Sequence, residues 1–309
     1  MSSIVVIGNF DGVHRGHAEV LSEARAVADE RDLEVVLLSF IPHPRAALGG
    51  KAPPLLTTLG RKRELVSQAD ARARFVFHDF DRAYASQAPA DFAERLAREF
   101  EVKVVMVGEN FRFGKDRAGD FDALVHLGSE NGFEPRRVSL TGDSAGPFSS
   151  TRARHAVSSG DMQEASRVLG RPHMLSGVVV HGKKLGRTIG YPTANLEPIS
   201  EVLPAFGIYA VVVDIVRGDH IAALATGAMN VGTNPTTDGD NRVKVEVFLH
   251  DLDADLYGST LRVHVLARLR DELRFDSLDA LTTQMKHDVA LAREIAGAHP
   301  VHATRGTFG

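Results

Sequence analysis

The sequence predicts an α/β protein in which a parallel sheet is followed by an antiparallel β-barrel and a C-terminal helix. Over residues 3–108, short and continuously apolar runs alternate with amphipathic helical patterns. Strands of this kind are buried on both faces, as in a doubly wound parallel sheet. Over 174–269, five short β-rich runs follow one another with turn residues between them, which is typical of a barrel or sandwich. One amphipathic stretch then predicts a helix over 276–297.

The first region contains four predicted strands separated by helices. The strand sequences are SIVVIG (3–8), LEVVLLSF (33–40), ARFVFHDF (73–80) and VKVVMVG (102–108). Helices are predicted at 17–32, within 53–70, at 88–101 and over 148–170. The apolar residues of the first helix share one side, which we expect to pack on the sheet. They are Val20, Leu21, Ala24, Val27 and Ala28.

The second region has turn-separated β-rich runs and a single closing helix. The runs cover 174–182, 208–216, 221–231, 242–252 and 259–269. Asp276 is the predicted N-cap of the last helix, and its apolar stripe is Leu278, Leu281, Met285 and Val289. The change of pattern predicts the following organisation: a first domain at 1–157, a linker at 158–172, a second domain at 173–297 and a tail at 298–309.

Composition excludes several classes of protein. A length of 309 residues suits about two domains. The net charge of −4 gives no basic surface for nucleic acid, and no apolar run is long enough for a membrane span. The chain has no cysteine, which excludes disulfides, thiolate metal sites and a cysteine nucleophile. The N-terminus lacks the basic segment of a signal peptide, so we expect a cytoplasmic protein. An oligomer is possible and stays undetermined.

The first candidate site is the sequence GNFDGVHRGH at 8–17, where the first strand passes into the first helix. Ligands of doubly wound sheets bind beyond this end of the strands, and a helix N-terminus favours anions. The glycines at 8, 12 and 16 fit neither GxGxxG nor a Walker loop. Zinc is an alternative, with His14, His17 and His43 as ligands. Two imidazoles beside a helix N-terminus favour a phosphate site, where they stabilise charge on a leaving pyrophosphate.

The second candidate site begins in GVVVHGKKLGRTIGYPTANL at 177–196. Lys184 stands where a Walker loop needs Ser or Thr, and no helix is predicted after it, so we reject a P-loop. The glycine-rich turn can still bind phosphate through its backbone N–H groups. Thr193 and Asn195 share one face of an extended segment and are oxygen ligands suited to Mg²⁺. Glu246 alternates with two apolar residues and is a candidate general base.

Together with these motifs, further segments resemble one known family. They are FIPHP (40–44), VGENFRFGKDRAG (107–119), SSTRAR (149–154), GIYAV (207–211), NVGTNPT (230–236), VEVFLHDLDADLYG (245–258) and LRDELRFDSLDAL (269–281). The first candidate site, with His14 and His17, resembles the nucleotidylyltransferase superfamily. Over nearly the whole of residues 4–296, the chain is similar to the bacterial bifunctional riboflavin kinase/FAD synthetases.

The resemblance implies a Rossmann-like nucleotidylyltransferase domain followed by an antiparallel β-barrel riboflavin kinase domain with a C-terminal helix. The barrel would phosphorylate riboflavin with ATP to give FMN, and the first domain would adenylylate FMN to give FAD. The implied catalytic residues are His14, His17 and Glu246, and the implied Mg²⁺ ligands are Thr193 and Asn195. Implied ATP-binding residues are Gly8, Asn9, Phe10, Asp11, Gly12, His14, Gly16, His17, Ser150, Thr151, Arg154, Gly182, Lys183, Gly186, Thr193 and Asn195. Those beside the flavin are Asn110, Phe111, Tyr209, Asn230, Arg270 and Glu272.

Three alternatives stay open at this point. One of the two activities is lost, the first domain acts on another phosphate monoester, or the chain is a flavin-binding regulator without turnover. The sequence also departs from the family at Thr237, where a phenylalanine is common. We expect that change to affect flavin affinity and to leave the fold unchanged.

Overall fold

The structure, a computed structural model, describes residues 1–182, 186, 190–218, 220–233 and 242–299. Lys183 and Thr237 lie outside the described residues. The chain divides into two compact units. The first contains Met1–Pro53 and Leu59–Ser149, and the second contains Pro54–Thr58 and the chain from Ser150 onward. In the described part of the chain, no helix is long and apolar enough to cross a membrane.

The first unit is built on a five-stranded parallel sheet. Its elements are β1 (Ser3–Ile7), α1 (Arg15–Arg31), β2 (Glu34–Ile41), α2 (Pro44–Ala47), α3 (Leu59–Ala69), β3 (Arg74–Asp79), α4 (Arg82–Ala85), α5 (Pro89–Phe100), β4 (Val102–Gly108), α6 (Phe121–Asn131), β5 (Glu134–Val138), β6 (Gly142–Asp143) and β7 (Gly146–Pro147). The strand order is β3-β2-β1-β4-β5. On one side of β1 lie β2 and then β3, and on its other side lie β4 and then β5. The strand order therefore reverses between β1 and β4.

Helices cover both faces of this sheet, as the sequence predicts. Alternate residues of β1 point to opposite faces. Ile4 and Val6 lie in one core cluster with residues of α1 and α3, whereas Val5 and Ile7 lie in another with residues of α5 and α6. The predicted inner side of α1 is confirmed: Leu21, Ala24, Val27 and Ala28 are buried, and Val20 packs partly against them.

Besides the short elements α2, α4, β6 and β7, the helix α6 and the strand β5 of this unit were not predicted. The α6 sequence carries Gly128, a poor helix former, and a Cβ atom there would lie 2.7 Å from the Phe133 carbonyl oxygen. The β5 sequence EPRRV is polar and contains Pro135, which hides the usual strand pattern. Its position at the edge of the sheet tolerates both features.

The second unit is a closed barrel with an added helical hairpin and a C-terminal helix. Its elements are α7 (Ser150–Ser159), α8 (Met162–Leu169), β8 (His173–Val180), β9 (Thr193–Glu197), β10 (Gly207–Arg217), β11 (His220–Thr233), β12 (Val243–Leu249), β13 (Thr260–Arg270) and α9 (Leu278–Gly297). The barrel order is β10-β11-β12-β9-β8-β13, closed by antiparallel pairing of β10 with β13. Val231, Val245, Val247 and Val263 are among the buried residues of these strands.

The helical stretch predicted over 148–170 is two helices. Gly160, with a φ of 80°, ends α7, and Asp161 caps α8 by accepting a hydrogen bond from the Glu164 backbone N–H. The predicted linker at 158–172 therefore contains α8, which packs on β8 and β13.

The C-terminal helix α9 differs from its predicted cap, and its buried residues lie further along the predicted apolar side. Its N-cap is Ser277, one residue after the predicted Asp276, because the Ser277 hydroxyl accepts from the Ala280 N–H at 3.1 Å. Its fully buried residues are Asp288, Ala292 and Ala296, whereas Leu278 is 60% exposed. The helix packs on the outside of β10, β11 and β13.

Candidate active sites

The loop after β1 reaches the carboxyl edge of the sheet with an unusual backbone. Phe10, Gly12 and Val13 all have positive φ values, of 48°, 82° and 37°. Such conformations are costly for residues with a side chain, and they concentrate at ligand-binding sites. Lys62 on α3 donates to the Asn9 carbonyl oxygen at 2.8 Å. Lys62 therefore brings a cation to this loop, which the sequence pattern did not reveal because Lys62 lies far along the chain.

His14 and His17 form a stacked pair at the N-terminus of α1. Their ring centroids are 3.7 Å apart and the rings are inclined by 25°. The His14 backbone N–H donates to His17 Nδ1 at 3.3 Å. A Cβ atom at Gly16 would lie 3.2 Å from the His14 ring and 3.1 Å from the Phe148 carbonyl oxygen. Glycine at position 16 therefore lets the His14 ring lie against the start of the helix.

The predicted flavin loop follows β4, the neighbour of β1 in the sheet. Asn110 is exposed, and the Phe111 ring stacks on the Phe113 ring with centroids 5.6 Å apart. The Phe92 ring from α5 packs against Phe113 at 5.2 Å. Because β1 and β4 are parallel neighbours, their loops leave the same edge of the sheet where the strand order reverses. That edge is the ligand position of doubly wound sheets.

His43 does not complete a zinc site. It is the N-cap of α2, where its Nδ1 accepts from the Arg45 N–H at 3.2 Å, and its Nε2 lies 3.3 Å from Asn9 Nδ2. Within the described ranges of the chain, no group of three or more histidine, aspartate or glutamate side chains is arranged to hold a metal ion.

The predicted ATP-binding residues of the SSTRAR segment lie on α7, in the second unit. Ser150 and Thr151 are its first residues, and Arg154 donates from Nε to the Pro54 carbonyl oxygen at 2.7 Å. Their role at the nucleotide stays a prediction.

The second site is a row of polar residues across three adjacent strands of the barrel. Glu246 on β12 lies directly opposite Asn230 on β11 and Asn195 on β9. Residues directly opposite on antiparallel strands point to the same face. The neighbours of Glu246 in the strand, Val245 and Val247, are buried inside the barrel, so the row faces outward. Among the described residues, the Oδ1 atom of Asn230 is buried and has no hydrogen-bond partner.

The row gives Glu246 an environment suited to a base. Burial raises the pKa of the Glu246 carboxyl, and the positive charge of Lys244 lowers it by a smaller amount. Lys244 is two residues away on β12 and lies opposite Gly232 on β11. A carboxylate with a raised pKa accepts a proton more readily than an exposed one.

Glycines bring the predicted phosphate turn against this row. A Cβ atom at Gly182 would lie 2.4 Å from Asn195 Nδ2, and one at Gly186 would lie 2.2 Å from the Tyr191 carbonyl oxygen and 3.7 Å from Thr193 Oγ1. Thr193 and Asn195 are two residues apart on β9 and share a face. The structure therefore brings together Gly182, Gly186, Thr193 and Asn195 beside Glu246.

Comparisons with known proteins agree with this architecture. The FAD synthetase family model matches residues 1–152, and the riboflavin kinase family model matches 169–296. Curated proteins named bifunctional riboflavin kinase/FMN adenylyltransferase are 37% identical in Pseudomonas fluorescens and 38% identical in Escherichia coli K12, each over 95% of this chain and 93% of the relative. The chain belongs to this bifunctional family.

A solved structure supports the same fold. It is described as a macrolide-efflux protein from Streptococcus pneumoniae and is 33% identical, with a TM-score of 0.82 and 94% of each chain covered. This chain therefore has both enzymes of the family. The riboflavin kinase is the barrel region, and the FMN adenylyltransferase is the parallel-sheet region. ATP is the co-substrate that both reactions use.

Two residues predicted beside the flavin have other contacts in the structure. The Tyr209 ring is 0% exposed, and its hydroxyl donates to the Ala205 carbonyl oxygen. Tyr209 therefore supports the barrel core, and its place beside the flavin stays a prediction. The Arg270 guanidinium binds the buried Asp288 carboxylate of α9. Asp288 was missed because an acidic residue on a helix is ordinarily read as part of its solvent face.

Glu272, the other predicted flavin residue of this segment, lies against β11. A Cβ atom at Gly232 would lie 1.8 Å from Glu272 Oε1, so the carboxylate rests over the Gly232 backbone. Gly232 is two residues from Asn230 on β11, so the two positions lie on the same face of the sheet. Glu272 thus lies on the polar face that carries Glu246.

Proposed function

We propose that Glu246 is the general base of riboflavin phosphorylation. It takes the proton of the primary alcohol of riboflavin, the alcohol oxygen attacks the γ-phosphorus of ATP, and ADP leaves with FMN as the product. The observation that carries this proposal is the row in which Asn195 and Asn230 flank a carboxyl whose pKa is raised by burial. The two carboxamides can donate and accept hydrogen bonds around the base, and neither takes up the proton that the base must accept.

Mg²⁺ fits beside this base. Thr193 and Asn195 offer neutral oxygen donors on one face of β9, with glycine backbone packed against them, and oxygen is the ligand that Mg²⁺ prefers. When bound there, the ion would neutralise charge on the phosphates of ATP. Gly182, Lys183 and Gly186 are proposed to bind those phosphates. Asn230 and Glu272 are proposed to face the flavin.

FMN adenylylation is proposed for the edge of the parallel sheet at which β1 and β4 end. A phosphate oxygen of FMN attacks the α-phosphorus of ATP, and pyrophosphate leaves, so no protein nucleophile is needed. His14 and His17 are proposed to donate hydrogen bonds to the ATP phosphates and to stabilise the leaving pyrophosphate. The backbone of residues 8–12 would hold the nucleotide, and Asn110 and Phe111 would hold the flavin. Ser150, Thr151 and Arg154 are proposed to bind ATP.

The proposed domains are 1–157 for adenylylation and 173–297 for the kinase. We propose a cytoplasmic location because both reactions consume ATP.

The test is chromatography of flavins after incubation with ATP and Mg²⁺, starting from riboflavin in one reaction and from FMN in another. FMN followed by FAD in the first reaction, and FAD in the second, supports both assignments. Flavin that stays bound and unconverted in both reactions would contradict them.

A further inference from the structure

A buried ion pair joins the last barrel strand to the C-terminal helix. The Arg270 guanidinium, at the end of β13, donates from Nη2 to Asp288 Oδ2 at 2.6 Å and from Nε to both carboxylate oxygens at 3.0 Å. Gln284, one turn earlier on α9, donates to Asp288 Oδ1 at 2.8 Å. The Asp288 carboxylate therefore accepts hydrogen bonds from two side chains.

The pair and the neighbouring loop use three of the five N–H donors of the Arg270 guanidinium. Its remaining terminal nitrogen, Nη1, donates to the Asp271 carbonyl oxygen at 2.8 Å. The side chain of Arg270 is 18% exposed and that of Asp288 is 6% exposed. A charge at this depth is costly unless it is paired and hydrogen-bonded. Arg270 is thus held in place by Asp288 and by its own loop.

The pair also joins the two elements that flank the segment carrying Glu272. Arg270 precedes residues 271–277, and Asp288 lies on the helix that follows them. Within this segment the Glu272 carboxylate rests over Gly232, two residues along β11 from Asn230. Asn230 in turn lies opposite Glu246. One chain of contacts therefore leads from α9 to the face that carries the proposed base.

We propose that Asp288 is a positioning residue for the riboflavin substrate of the kinase. It holds Arg270, and through Arg270 it holds the 271–277 segment, so that Glu272 meets the acceptor beside Asn230 and Glu246. In this account Arg270 acts as a structural support and does not recognise the flavin by its charge. The proposal rests on the proposed function in one respect, that riboflavin binds on this face of the barrel.

The same helix offers a matched control. Arg293 on α9 pairs with Asp251, which follows β12, and these two side chains are 51% and 75% exposed. Exposed pairs of this kind contribute little. Arg293→Ala removes this ion pair of α9 at an exposed helical position, without touching the segment that carries Glu272.

The experiment measures steady-state kinase kinetics for Asp288→Ala, Arg270→Ala, the double variant and Arg293→Ala in the full-length protein. We expect each single variant of the buried pair to raise the KM for riboflavin by about tenfold, the effect of losing ~1.4 kcal/mol of binding. The KM for ATP and the rate of FMN adenylylation should change by less than about twofold. Because the two residues act as one unit, the double variant should match the single variants. Arg293→Ala should behave as wild type.

Two results would overturn the proposal. If Arg270→Ala raises the riboflavin KM while Asp288→Ala does not, Arg270 contacts the flavin directly. If the KM values for riboflavin and ATP rise together, the pair only maintains the fold. Should Asp288→Ala fail to fold, Arg270→Met combined with Asp288→Leu removes both charges with less cost. An unchanged riboflavin KM in that variant would equally contradict the proposal.

Failure of the general-base assignment is distinguishable from these outcomes. Retained kinase turnover in Glu246→Gln would remove that assignment while leaving the effect of Asp288 on the riboflavin KM intact.

Discussion

The two candidate sites are built from different parts of the polypeptide. Around His14 and His17, a continuous loop supplies the site, and its backbone conformation and glycines determine where the two rings lie. Around Glu246, three strands each supply one residue, and antiparallel register brings these residues together. Added side-chain atoms in that loop should therefore disturb the first site. The second site should depend on the contacts that hold segments against the outer face of the barrel.

The largest expected effect is on the barrel site. Glu246→Gln keeps the size of the side chain and removes its ability to accept a proton. Loss of a general base reduces turnover by about 10²–10⁴-fold, so the kinase rate with riboflavin should fall by that amount. Adenylylation of FMN by the same protein is the internal control, and a proportional loss there would contradict the separation of the two sites.

Gly16→Ala tests whether backbone space determines the loop site. The new Cβ atom would lie 3.2 Å from the His14 ring and 3.1 Å from the Phe148 carbonyl oxygen, so the ring must move. A misplaced catalytic group costs about 10²-fold, and adenylylation should fall accordingly with the kinase rate unchanged. Gly60→Ala is the matched control, since a Cβ atom there meets nothing within 4 Å. Equal rates in both variants would argue against this role of Gly16.

Gly232→Ala is the equivalent change at the barrel site. Its Cβ atom would overlap the Glu272 carboxylate, which must then leave the face shared with Asn230. We expect the KM for riboflavin to rise by about tenfold, equivalent to ~1.4 kcal/mol. The control is Gly297→Ala, because a Cβ atom there would lie in open space. Gly218→Ala would not serve, since the positive φ at that position adds strain. A riboflavin KM equal to that of Gly297→Ala would show that Glu272 does not meet the substrate.

The pH dependence of the kinase should follow the Glu246 carboxyl. Burial raises its pKa, so the acid limb of kcat/KM should lie above the ordinary glutamate value. Lys244 opposes this shift, and Lys244→Met should therefore move the acid limb to higher pH. Movement to lower pH would contradict the account.

The smallest expected effect is on stability. A carboxyl whose pKa is raised on folding contributes stability that is present below its ordinary pKa and is lost as pH rises through the raised value. Gln at position 246 resembles the neutral form at every pH. The thermal midpoint of Glu246→Gln should therefore exceed that of wild type at neutral pH and approach it in acid. A lower midpoint at neutral pH would contradict the direction of the pKa shift.

Sequence patterns predicted the first unit well because its central strands are buried on both faces. The runs that became β1, β2 and β4 are mostly apolar, and the helices between them have one apolar side. The edge strand β3 is only partly buried, and its apolar centre at Phe75–Phe77 was enough to predict it. The polar edge strand β5 and the glycine-containing α6 lack these signals, and neither was predicted. Loop positions next to the strand ends follow from topology, so the places of His14 and Asn110 were predictable.

Contacts that depend on register or on distant residues could not be read from the sequence. Val245 and Val247 predicted that Glu246 points away from the core, but only the pairing of β11, β12 and β9 places it between two carboxamides. Asp288 lies on the predicted apolar side of α9, but its partner Arg270 is on another element, and no sequence pattern links the two. Tyr209 carries no pattern that separates a core ring from a ligand contact.

The most direct test of two separate sites is complementation between single-site variants. His17→Ala and Glu246→Gln are purified separately, incubated with riboflavin, ATP and Mg²⁺, and then mixed, with flavins followed by chromatography. We predict FMN alone from His17→Ala, almost no product from Glu246→Gln, and FAD from the mixture. The contradicting result is a mixture that yields no FAD although each folded variant keeps its other activity when assayed alone. In that case FMN released at one site would not be used at the other.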